Sequence, residues 1–212
     1  MTEPQVHIVD DDEAMRDSLE WLLESRGLKV ALYASAEAFL DAFDSSFRGC
    51  LVLDVRMPGM NGLALHQELH ARGSTLPVIF ITGHGDVPMA VSALKKGAAD
   101  FIEKPFNNQD MLQLIETCMR QDRDAAAKRA EDASVTQRLE RLTQREREVL
   151  QLIVAGKLNK QIADDLGISI KTVEVHRSRV MEKMEAGSVA ELVQFVLNSR
   201  DWPLAAPLRT NK

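Results

Sequence analysis

Short apolar runs alternate along the first part of the chain with longer stretches in which apolar positions recur every three or four residues. VHIV (6–9), LKVALY (28–33), CLVLDV (50–55), PVIFIT (77–82) and AADFIEK (98–104) read as strands. Between them, residues 14–26, 36–43, 62–72, 86–97 and 108–120 read as helices. The first places Met15, Leu19, Leu22 and Leu23 on one face and stops near Gly27. Near-continuous apolar strands alternating with helices predict a parallel sheet covered on both faces. An order 2-1-3-4-5 makes the first and third strands neighbours. Such sheets take ligands beyond the carboxyl ends of their strands.

The pattern changes after residue 120. Residues 121–142, QDRDAAAKRAEDASVTQRLERL, contain no Gly or Pro and balance 5 acids with 5 bases. That predicts an exposed helical linker; a coiled coil stays open, although sustained heptads are absent. Residues 143–200 read as four short helices, at about 144–155, 159–166, 170–184 and 188–198. Thr143 with Glu146, and Ser188 with Glu191, have capping-box spacing. Gly156, Gly167 and Gly187 stand where helices would end. Residues 201–212 carry two prolines and read as a loose tail.

Charge separates the same two regions. Residues 1–120 hold 10 Lys/Arg against 18 Asp/Glu, residues 143–200 hold 9 against 8, and the whole chain of 212 residues is at −6. An acidic chain still binds DNA if its bases cluster on one face. The two cysteines, Cys50 and Cys118, lack metal-ligand spacing and read as buried thiols. MTEPQ is unlike a signal peptide, and no apolar run approaches the roughly 18 residues of a membrane span. A reducing, cytoplasmic compartment and no membrane partner are expected.

Chemistry enters at the strand ends. Asp10 and Asp11 follow the first strand and Asp54 ends the third, so neighbouring strands bring three carboxylates together. Such a cluster needs a cation, and Mg2+ suits oxygen ligands while also accepting phosphate oxygens. Thr82 ends the fourth strand and Lys104 the fifth. With Lys104 and the ion neutralising the transferring oxygens, Asp54 can attack as nucleophile and become an aspartyl phosphate. Asp12 and Glu13 are placed as helix N-terminal residues. A lone strand-end Asp is more often a cap, so the weight lies on all of these residues falling at strand ends together.

The stretches IVDDDEAMRDSL, LVLDVRMPGMNG, ITGHGDVPMAV and GAADFIEKPF resemble the receiver domain of two-component response regulators, over about 1–120. The resemblance implies a flavodoxin-like α/β fold and phosphate accepted at Asp54 from a sensor histidine kinase. It implies Mg2+ held by Asp11, Asp54 and the backbone carbonyl of Arg56, with Asp10 acting mostly through water. It also implies that Thr82 and Phe101 form a switch pair, and that Lys104-Pro105 is where a cis peptide often occurs. Read without the resemblance, Phe101 is equally well a plain core residue.

In NKQIADDLGISIKTVEVHRSRVMEKM (159–184), Ile162, Ala163 and Leu166 give one helix an apolar face, Gly167 breaks it, and Ser169 caps the next. Two helices across a short Gly-containing turn suggest helix-turn-helix, whose second helix enters the major groove. Its candidate DNA contacts are Lys171, Thr172, Glu174, Val175, His176, Arg177, Ser178, Arg179 and Lys183, with Lys160 on the preceding helix. The bases would meet phosphates, Glu174 a cytosine amino group and Val175 a thymine methyl. His176 has no second ligand placed for a metal.

Residues 139–198 resemble a LuxR-type helix-turn-helix, and with the receiver the whole chain is similar to FixJ-like regulators of the NarL group. The resemblance implies four helices, double-stranded promoter DNA as partner, a homodimer on phosphorylation, and RNA polymerase as a candidate partner. Glu174 stands where many relatives carry a base, and Leu158 where a small polar residue is common. The expected function is transcription regulation gated by phosphorylation, not catalysis. An aspartyl phosphatase of the haloacid dehalogenase type would need an acid at Arg56, which cannot donate a proton. A constitutive DNA binder whose receiver is an interaction module or phosphate sink is the remaining alternative.

Overall fold

The computed structural model describes residues 3–83, 94–95 and 97–199. Of the helix expected at 86–97 only Leu94 and Lys95, which are helical, and Gly97, in a turn, are described, and the tail 201–212 lies outside the described residues entirely. The chain divides into two compact units, Met1–Ala126 and Ala127–Lys212.

In the first unit, β1 (Gln5–Val9), β2 (Val30–Tyr33), β3 (Gly49–Asp54), β4 (Val78–Thr82) and β5 (Asp100–Glu103) form one parallel sheet of order β2-β1-β3-β4-β5. The helices are α1 (Glu13–Glu24), α2 (Ala36–Ala42), α3 (Gly62–Ala71) and the start of α4 (Asn108–Glu140). Strand side chains alternate between faces. Val6, Ile8, Cys50, Val52, Ile79 and Ile81 meet Leu19, Leu22 and Leu23 of α1 and Met111 and Ile115 of α4. Val9, Leu51, Leu53, Val78 and Phe80 meet Phe39 of α2 and Leu65 and Leu69 of α3. β3 is buried along its whole length. Each of these large side chains contributes roughly 1.5–3 kcal/mol when fully buried. Cys50 and Cys118 are buried free thiols, and burial pushes both thiol pKa values up, Cys118 to about 11.

Two local details hold the sheet's ends. At its amino end, buried Asp122 accepts from Arg48 Nε at 2.9 Å and from the Gly49 amide at 3.0 Å, tying α4 to the start of β3. Gly49 has φ +112°, and a Cβ there would lie 1.9 Å from the Gln5 carbonyl oxygen, so only glycine fits. At the carboxyl end, Asp12 caps α1 by accepting from the Ala14 and Met15 amides.

α4 runs unbroken through most of the segment expected as a linker. In the second unit its end contributes Val135 and Leu139 to a core with Leu142, Val149, Leu150, Ile153, Ile162, Val173, Val180, Leu192 and Val196. That core joins α5 (Gln144–Val154), α6 (Asn159–Leu166), α7 (Ile170–Lys183) and α8 (Val189–Asn198). Thr143 and Glu146 form the capping box of α5. Ser188 caps α8, but Glu191 accepts from the Gly187 amide at 2.8 Å instead of closing the box on Ser188. Gly156 and Gly167 take positive φ at helix ends, whereas after α7 the positive φ falls on Glu185 and not on Gly187. No helix among the described residues is long and apolar enough to cross a membrane.

Candidate functional site

The carboxyl ends of β1, β3, β4 and β5 bring the predicted acids, hydroxyl and lysine to one edge of the sheet. β1 pairs with β3 in the register Val9↔Leu53, so Asp10 and Asp54 emerge side by side. Asp10, Asp11 and Asp54 each offer an oxygen within 4.8 Å of the others. Asp10 and Asp54 are buried and Asp11 is exposed. Lys104 bridges the buried pair, donating to Asp54 Oδ2 at 2.7 Å and Asp10 Oδ2 at 3.1 Å. Its peptide bond to Pro105 is cis.

The backbone completes the pocket. Asp54 Oδ1 accepts from the Arg56 amide at 2.9 Å, and Asp10 Oδ1 from the Asp12 amide at 2.9 Å. Gly62 donates to the Val55 carbonyl, and a Cβ on it would lie 2.2 Å from the Asp54 carbonyl oxygen. The β3–α3 loop can therefore fold back over Asp54 only with glycine there. Thr82 is fully buried, and its Oγ1 has no hydrogen-bond partner among the described residues. A buried hydroxyl is ordinarily paired. Phe101 is half-buried, opposite Phe80 in the β4–β5 register.

Electrostatically the pocket is unfinished. Burial raises the Asp10 pKa and the Asp54 carboxylate raises it further, against the Asp12 amide and Lys104. Burial opposes the charge on Lys104, but its bonds to Asp54 and the Asp10 charge hold its pKa above the usual value. Among the described residues one ammonium bridges two of the three clustered carboxylates. Oxygens on a single Mg2+ lie at most about 4.2 Å apart, given bonds of roughly 2.1 Å. The donor set therefore fits that ion after a small closing movement.

In the second unit, α7 presents Lys171, Thr172, Glu174, Val175, Ser178 and Arg179 exposed, with His176 and Arg177 half-buried, and Lys160 is exposed on α6. Lys171, Val175 and Ser178 fall one turn apart, so they share a face. Ser169 caps the helix through the Thr172 amide at 3.1 Å. Leu158, Ile170 and Val175 leave apolar surface exposed, at 72%, 47% and 45%. Lys183 stands apart from this set. Its ammonium donates to buried Glu146 at 2.7 Å and to the Arg141 carbonyl at 3.2 Å, because a buried carboxylate requires a partner.

Sequence reading missed three side chains of consequence. Arg16 donates to the Asp10 carbonyl at 2.8 Å, Glu37 accepts from the Met60 amide at 2.9 Å, and Arg138 donates to the Met184 carbonyl at 3.1 Å. Each joins segments whose approach only the tertiary structure sets. Arg16 alone left a trace, standing one turn beyond the cap Asp12.

Residues 6–116 match the response regulator receiver domain family, and residues 140–196 match the luxR family of bacterial regulatory proteins. The chain belongs to the response regulators that join a receiver to a LuxR-type DNA-binding module. Within them it is a FixJ-like member of the NarL/LuxR type. It is 54% identical to the transcriptional regulatory protein FixJ of Azorhizobium caulinodans, over 91% of each chain. The structure of the response regulator StyR superposes with a TM-score of 0.85 at 43% identity, covering 92% of this chain and 99% of that one. Full-length FixJ of B. japonicum gives 0.59 at 45% identity, covering 93% and 98%. The protein is a two-component response regulator and transcription factor, not an enzyme. A histidine kinase and DNA are its implied partners, and receiver domains bind Mg2+ at this acidic pocket.

Proposed function

We propose that Asp54 is the phosphoacceptor and that its phosphorylation by a sensor histidine kinase gates DNA binding through α7. One observation carries the reading: Lys104 bridges Asp54 and Asp10 at the strand ends where Thr82 Oγ1 lies buried, with no partner among the described residues. An oxygen of Asp54 attacks the phosphorus of a phosphohistidine, the P–O bond forms as the P–N bond breaks, and the imidazole leaves. Asp11, Asp54 and the Arg56 carbonyl would hold Mg2+ directly, with Asp10 mostly through water; the ion supplies charge neutralisation for the phosphoryl oxygens. Lys104 neutralises a second oxygen and Thr82 donates to a third. Phe101 then moves with Thr82, biasing the receiver towards a second state by the phosphate's preference for it.

The output follows from the second unit. Lys171, Arg177, Arg179 and Lys160 contact phosphates, and Thr172, Glu174, Val175, His176 and Ser178 face the groove. Lys183 leaves this set for the Glu146 pair. Phosphorylation favours a homodimer that addresses two half-sites, in the cytoplasm, where RNA polymerase is the further partner. The test is phosphate incorporation from acetyl phosphate with Mg2+. Wild type takes up one phosphate per chain and Asp54→Asn takes up none; labelling that persists in the variant would place the acceptor elsewhere.

A further inference from the structure

We propose that Arg138, on the last turn of α4, is a positioning residue for α7: it anchors the C-terminal end of that helix and thereby sets the DNA-facing side chains. This rests on the reading of α7 as the helix that contacts DNA.

The end of α7 is unusual in its chemistry. Glu185 has φ +53°, and it is the only non-glycine residue with positive φ among the described residues. Glycine is the ordinary occupant of that position after a helix. The turn is closed by the Glu185 amide donating to Glu182 O and the Ala186 amide donating to Met181 O, both at 3.0 Å. Arg138 grips this turn in three ways. Its Nη1 donates to the Met184 carbonyl at 3.1 Å, its Nη2 pairs with the Glu185 carboxylate at 2.9 Å, and its guanidinium lies 5.5 Å from the centre of the Phe195 ring on α8. A cation at a helix C-terminus also meets the negative end of the helix dipole.

Arg138 is itself held, because its neighbours Val135 and Leu139 are buried in the core of the same unit. Lys183 and Glu146 make a second tie at the same turn. Both ties act on the last turn of α7. Its first turns, with Lys171, Thr172, Glu174 and Val175, stand exposed. Val173 seats those turns in the core, and the two ties at the far end remove the freedom the helix would otherwise keep to pivot about it, so the direction in which the exposed residues project depends on both. A lysine at 138 keeps the charge but not the planar fork that serves a carbonyl and a carboxylate together.

The experiment uses the full chain and a DNA duplex selected by the wild-type protein from a random-sequence pool. Affinity is measured across a salt series for wild type, Arg138→Met, Arg138→Lys, Glu185→Gln and Arg179→Ala. Hydrogen exchange over 170–184 and thermal unfolding are followed in parallel. Arg138→Met is expected to weaken binding on the order of tenfold with an unchanged salt slope and faster exchange in α7. Arg138→Lys recovers part of that loss, and Glu185→Gln loses about threefold. Arg179→Ala instead lowers the salt slope by about one. The proposal is overturned if folded Arg138→Met binds within about twofold of wild type. It is overturned equally if that variant's salt slope falls by about one, which would mark Arg138 as a phosphate contact. Should Arg138→Met fail to fold, Glu185→Gln decides, and wild-type affinity with wild-type exchange there sinks the idea. If Arg179→Ala leaves affinity and slope untouched, the reading of α7 itself falls, and the role of Arg138 with it.

Discussion

Two buried carboxylates, one in each unit, show opposite uses of the same group. In the receiver, Asp10 shares the Lys104 ammonium with Asp54, lies beside a third acid, and has its pKa raised by burial. In the DNA-binding unit, burial also pushes Glu146 towards neutrality, but the Lys183 ammonium and the Thr143 amide and hydroxyl hold its pKa at about 2. Glu146 faces the Lys183 ammonium one to one and acts as a fixed joint. Asp10 and Asp54 share one ammonium between two carboxylates with a third beside them, an excess of negative charge suited to a cation. Balance of charge, more than burial or the number of hydrogen bonds, separates the two sites.

Acid should break the two units in different pH windows, and this is the largest expected effect. His7 is fully buried against Phe47, with ring centroids 4.7 Å apart, and burial lowers its pKa to about 4. Its unfolded value is about 6.5, so the unfolded chain binds a proton first as pH falls. Receiver stability is full above about pH 6.5 and declines by about 3 kcal/mol as pH drops towards 4. Glu146 works at lower pH. Its depressed pKa gives stability that is full above the ordinary carboxylate range and is lost as pH falls towards about 2. Hydrogen exchange resolved by peptide, from pH 7 to 3, should show sheet peptides loosening before those of α5 and α7. His7→Leu should flatten the first transition alone.

A smaller effect sharpens the contrast in pairing. Lys104→Met removes the one ammonium seen between Asp10 and Asp54, and should destabilise the receiver by about 2 kcal/mol in chelator, discounted for the partial exposure of the lysine. Millimolar Mg2+ should restore most of that loss, as read by urea unfolding. Lys183→Met should cost the second unit a similar amount with no recovery on adding Mg2+. Recovery in both variants, or in neither, would erase the distinction between the two carboxylates.

The smallest effect concerns caps. Thr143→Ala and Asp12→Ala each remove an N-cap and should cost about 1 kcal/mol. Thr143→Ala should cost more, because it also loosens the capping box that holds Glu146. Thermal unfolding of both variants measures the difference.

The same contrast explains what could be read from the sequence. The strands were legible as apolar runs, and four of the five lead to a polar residue at the same edge: Asp10, Asp54, Thr82 and Lys104. Those residues lie far apart in the chain, yet sheet topology collects them. The α7 face was legible for the opposite reason, being a single contiguous segment. The Lys183 ion pair was not legible, because the place of Lys183 on the helix gives no sign of Glu146, thirty-seven residues earlier. Arg138 was invisible in the same way. Glycine spacing pointed to Gly187 as the end of α7, whereas the left-handed position is Glu185, stabilised by a side chain from another helix. Local patterns encode elements and strand ends; long-range ion pairs leave no periodicity to detect.

The central claim is that Asp54 controls DNA binding, and its most direct test compares wild type with Asp54→Asn on the selected duplex. DNA affinity and solution mass are measured with and without beryllofluoride and Mg2+. The account predicts that the phosphoryl mimic tightens binding and raises the mass of wild type while leaving Asp54→Asn unchanged. Unaltered DNA affinity in a wild-type protein that has bound the mimic would contradict it, and would leave a constitutive DNA binder carrying a separate phosphotransfer module.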